Sequence, residues 1–82
     1  MKVHLKYFAS VRERLGAGET LDTHAATAGQ LRDELVARGG AYAEALARGT
    51  AVRLALDQVM AADDARLEEG CELAFFPPVT GG

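Results

Sequence analysis

The run Phe76-Pro77-Pro78-Val79-Thr80-Gly81-Gly82 combines residue types and spacing into something able to do chemistry. After Phe76 there is no charged side chain before the carboxylate of Gly82. Pro77 and Pro78 lock φ and favour the extended polyproline form. Six extended residues at about 3.3 Å each carry that carboxylate roughly 20 Å from its base. Gly81 and Gly82 have no Cβ, so the tip can enter a channel too narrow for any other residue. The chemistry expected is that of a carboxylate offered to another protein's catalytic groups. The competing expectation is an ordinary glycine-bearing chain end with no role. Placement after a strand, paired prolines and an apolar approach favour the first.

Such a tail needs a base, and the pattern upstream supplies one. "CELAFF", Cys71 to Phe76, reads as the last strand, with Cys71, Leu73 and Phe75 on a wholly apolar side and Glu72, Ala74 and Phe76 on a mixed one. Phe75 is therefore expected in the core and Phe76 on the surface. Ala55, Met60 and Val79 are expected to extend Phe76 into an exposed apolar patch, a feature that often marks a contact surface.

The remaining elements follow from periodicity. Val3, Leu5 and Tyr7 alternate with Lys2, His4 and Lys6, as in a half-buried strand. "ASVRERLG" predicts a short helix ended by Gly16 and Gly18, and "ETLDTH" a second strand paired with the first. In "TAGQLRDELVARGG", Thr27 and Gln30 have capping-box spacing, Leu31, Leu35 and Val36 form an apolar stripe, and Gly39 suits the left-handed conformation after the last turn. "AYAEALARG" predicts a shorter helix. "TAVRLALD" predicts a strand with Val52, Leu54 and Leu56 on one face, and a short strand is expected near Val59. Strands wrapped around one main helix predict an α+β domain of the ubiquitin-like β-grasp type with a mixed sheet. The expected organisation is residues 1–76 as the β-grasp domain and 77–82 as a flexible tail.

Composition narrows the function classes. The chain has 82 residues, 49% hydrophobic and 26% charged, which fits one folded domain. Its net charge of −3 gives no broad attraction to nucleic acid or anionic lipid. "MKVHLKYF" alternates where a signal peptide has a continuous apolar core, so the expected location is cytoplasmic. Cys71, His4 and His24 show no metal-ligand spacing, and Cys71 reads as a small buried apolar side chain. The acidic residues Asp63, Asp64, Glu68, Glu69 and Glu72 can steer a basic partner, but such a run is more often a solvated turn.

"FFPPVTGG" at 75–82, "YFASVRERLG" at 7–16 and the approach "EEGCELAFFPPVTGG" resemble the small sulfur-carrier subunits of molybdopterin synthase. Length and strand order fit throughout, while residues 17–50 match in layout only. The resemblance implies that an activating enzyme uses ATP to adenylate Gly82 and that sulfur then displaces AMP, leaving a thiocarboxylate. It implies that the tail enters the large subunit and delivers sulfur to cyclic pyranopterin monophosphate, in a heterotetramer whose sulfurtransferase activity the carrier lacks alone. The carrier itself is expected to bind no cofactor and no metal. Gly82 is then the reacting residue, Gly81, Thr80, Val79, Pro78 and Pro77 the inserted tail, and Phe76, Met60 and Arg12 part of the docking surface. For Arg12 a solvated charge at a helix edge is the alternative. Many members of the resembled family carry an Asn-Gln pair where this chain has Asp57 and Gln58, and an Asp cannot donate the side-chain amide hydrogen bond that an Asn offers. A carrier for thiamin thiazole or tRNA thiolation, a protein modifier linked through Gly82, and a binding module using only the sheet face are the other readings of the same pattern.

Overall fold

A computed structural model describes residues 1–78. Its elements are β1 (Lys2–Tyr7), α1 (Ala9–Leu15), β2 (Gly18–Asp22), α2 (Ala28–Val36), α3 (Gly40–Leu46), β3 (Arg53–Leu56), β4 (Val59–Ala61) and β5 (Cys71–Phe76). The strands form one mixed sheet in the order β2-β1-β5-β3-β4, with β1 and β5 parallel at its centre and the other pairs antiparallel. This is the α+β, β-grasp arrangement expected.

Alternation decides the two faces of the sheet. Val3, Leu5, Tyr7, Cys71, Leu73, Phe75 and Leu54 are buried on the inner face with Leu31 and Leu35 of α2 and Leu46 of α3. The phase expected for β5 is thus observed, and Cys71 is a buried free thiol. At the other edge, the β1–β2 pair is closed around Gly18, whose added Cβ would lie 2.1 Å from the Leu5 carbonyl oxygen. No side chain fits where two backbones approach so closely.

Helix α2 begins as its sequence indicates. Thr27 accepts a hydrogen bond from the Gln30 backbone N–H at 3.2 Å. The Gln30 side chain, however, reaches one residue further back than a capping box requires, accepting from the Ala26 N–H at 2.7 Å. Two further N–H groups of this end, on Ala28 and Gly29, donate to the carbonyls of Ala65 and Asp63 at 2.9 and 2.7 Å. The segment before β5 is therefore laced along the start of α2, satisfying donors that a helix leaves unpaired. Gly39 has positive φ as expected, but it serves as the residue that opens α3. Arg32, buried in α2, reaches the carbonyls at the end of α3 and pairs with Asp63 at 3.3 Å.

Three expectations are corrected. The strand expected over residues 50–57 spans Arg53–Leu56, so Thr50, Ala51 and Val52 precede the ladder. Ala55, expected in the exposed patch, is buried, because it sits on an interior strand and faces the buried Ala74 across the β3–β5 pair. Phe76 is half-buried rather than exposed.

Candidate functional site

The site is built around the point where β5 leaves the sheet. Phe75 is 0% exposed and packs against Tyr7, 1% exposed, with ring centroids 6.2 Å apart and planes 26° from parallel. Its carbonyl accepts a hydrogen bond from the Phe8 N–H at 3.1 Å. The strand is thus held on its inner face and along its edge up to the last residue before the tail. Phe76, one residue on, points to the outer face, where its partner in the register is Arg53.

The outer face next to Phe76 mixes apolar and cationic groups. Lys6, Ala74, Ala55 and Met60 form one row across four strands. Met60 is 59% exposed at its far end, and Val59 beside it is 68% exposed. Two strand spacings place the Met60 backbone about 10 Å from that of Ala74. Phe8, 44% exposed, borders a groove with Arg12, Lys6 and Gly18 on the other flank. Arg12 and Arg53 are exposed, and none of the ion pairs among the described residues involves either. Lys6 pairs with Glu72 at 3.4 Å.

Pro77 and Pro78 are half-buried at the opposite side of the strand end, beside Ser10 and Val11 of α1 and Ala51 and Val52 before β3. Val79, Thr80, Gly81 and Gly82, the remaining tail residues singled out from the sequence, lie outside the described residues. So does the contribution of Val79 to the apolar patch.

Sequence reasoning missed Phe8, Val59 and Arg53. Only the register brings Arg53 opposite Phe76, whereas Phe8 carried a usable signal as the aromatic directly after β1. The acidic run is largely solvated, as expected of a turn, with Asp64, Glu68 and Glu69 exposed; within it Asp63 pairs with Arg32 and with Arg48, Glu69 accepts from the Lys2 N–H, and Glu72 pairs with Lys6. Asp57 and Gln58 both have positive φ, 49° and 68°, the signature of a tight turn between paired strands. The Asp57 carboxylate accepts from the Glu72 N–H at 2.9 Å, so it works within the sheet.

Away from the tail, Arg38 grips Glu19 with two hydrogen bonds of 2.9 and 2.7 Å and lies 4.9 Å above the Tyr42 ring. The Arg38 hydrogen bond holds the Glu19 carboxyl below its usual range. Burial, with the Glu19 charge adding to it, pushes the Tyr7 phenol above its usual range. Among the described residues there is no cluster of three or more His, Cys, Asp or Glu able to hold a metal, and no helix long and apolar enough to cross a membrane.

Comparison with known proteins places residues 5–82 in the ThiS family model. The chain belongs to the ThiS family. It is 36% identical over 81 residues to a protein of Haemophilus influenzae named molybdopterin synthase sulfur carrier subunit, covering 98% of this chain and 99% of that one. It is 37% identical over 81 residues, with the same coverage, to the protein of that name in Escherichia coli. The crystal structure of SAMP1 from Haloferax volcanii superposes with a TM-score of 0.80 at 28% identity, covering 100% of both chains. Family membership thus agrees with the β-grasp fold and with a match that runs through Gly82.

Proposed function

We propose that this chain is the sulfur carrier of molybdopterin synthase, with the Gly82 carboxylate as its reacting group. The observation that carries the reading is the construction of the strand end. β5 is anchored through Phe75, Phe76 faces outward opposite the exposed Arg53, and the tail starts at once with Pro77. The names of the family relatives from Haemophilus influenzae and Escherichia coli support the same role.

The division of labour follows from carboxylate chemistry. At neutral pH a carboxylate is a poor acceptor of nucleophiles. An adenylating partner joins the Gly82 carboxylate to the AMP portion of ATP with release of pyrophosphate. A sulfur nucleophile then displaces AMP, and the thiocarboxylate delivers sulfur to cyclic pyranopterin monophosphate in the large subunit. ATP is bound by the activating partner, and the acid, base and oxyanion donors come from the partners. The carrier contributes reach, a thin tip and a docking face in which Phe76, Met60 and Arg12 take part, within a heterotetramer.

The test is intact-mass measurement of the chain recovered from cells, combined with reconstituted precursor conversion. Replacement of one oxygen by sulfur at the C-terminus, and precursor conversion by that form alone, is the expected result. An unchanged C-terminus argues for a binding module, and attachment to another polypeptide for a protein modifier.

A further inference from the structure

The first two tail residues do not leave the domain. Pro77 and Pro78 are half-buried and, together with Ser10, Val11, Ala51 and Val52, line a small cleft of about 200 Å³ that the Arg14–Glu44 ion pair also borders. We propose that Ser10, Val11, Ala51 and Val52 form a seat for Pro77–Pro78, making Ala51 and Val52 positioning residues for sulfur delivery. The inference rests on the reading that Gly82 carries the sulfur.

Proline suits this seat for two physical reasons. The β3–β5 ladder ends at the Arg53–Phe76 pair, so any following N–H laid on an apolar surface would lose its partner. Proline has no N–H to lose, and its fixed φ leaves little backbone freedom to be surrendered on seating. The seat also sets the reach. Measured from Phe76 the tail spans roughly 20 Å, but beyond a seated Pro78 the four residues to Gly82 span at most about 13 Å. The direction in which they start is then dictated by α1 and the segment before β3. On this account the partner's channel is matched to the shorter length.

The experiment has two arms. In the free, isotope-labelled protein, nuclear Overhauser contacts are sought between the Pro77 and Pro78 ring protons and the methyl groups of Val11, Ala51 and Val52. Their presence is expected, and their absence overturns the seat whatever the fate of the sulfur-carrier reading. In the second arm Ala51→Asp places a charge under the rings at an exposed position. The expected outcome is loss of those contacts at an unchanged melting temperature. With thiocarboxylated carrier as substrate of the large subunit, KM rises about tenfold while kcat stays within about twofold, because ordering of the freed residues is charged to binding. Ala51→Val should restore both the contacts and KM. An Ala51→Asp carrier that loses the contacts but keeps the wild-type KM overturns the positioning role and leaves Gly82 as the reacting group.

Discussion

Tyr7 and Phe75 stand side by side on the two central parallel strands, stacked at 6.2 Å, and the Tyr7 hydroxyl beside them is buried with no hydrogen-bond partner among the described residues. An unsatisfied buried hydroxyl is destabilising. Tyr7→Phe is therefore expected to keep the stack and to leave stability unchanged or raise it by about 1 kcal/mol. Thermal and urea melts check this, and a clear loss of stability would mean that the hydroxyl has a partner.

The opposite orientation of two consecutive phenylalanines separates folding from docking. Phe75→Ala opens a cavity in the core and should lower stability by about 3 to 5 kcal/mol. Phe76→Ala removes a half-buried outer-face anchor and should weaken binding to the large subunit about thirtyfold with little effect on the melt. Calorimetric titration beside the melts distinguishes the two, and an inverted pattern contradicts the assigned faces.

Deleting Gly82, or replacing Gly81 with Val, should abolish adenylation or sulfur transfer at an unchanged melting temperature, since among the described residues the buried core is built from Val3 to Phe75. AMP formation with the activating enzyme, followed by precursor conversion, is the measurement. Full turnover by a carrier lacking Gly82 would remove the mechanism.

The Glu19–Arg38 pair predicts a pH dependence. Arg38 lowers the Glu19 pKa in the folded protein, so the pair contributes stability above the ordinary carboxylate pKa and loses it as pH falls through the lowered folded value. Because both side chains are partly exposed, the contribution at neutral pH is about 0.5 to 1 kcal/mol. Glu19→Gln should lower stability by that amount at pH 7, and the difference from the wild type should vanish as pH falls through the lowered folded value. Urea melts across this range test the sign.

The element order, the inward phase of β1 and β5 and the Thr27 cap were all legible along the chain. Each depends on neighbours within a few residues, where alternation and side-chain type leave a direct trace. The tertiary structure alone decided what depends on register and layering. It paired Arg53 with Phe76, covered Ala55 and Ala74 by placing them on interior strands, and joined Asp63 to Arg32 and Arg48 and Glu72 to Lys6. It also brought Pro77 and Pro78, half-buried, to the cleft they line with Ser10 and Val11 of α1. These contacts join residues far apart in the chain, and no local periodicity encodes which distant surface a side chain will meet.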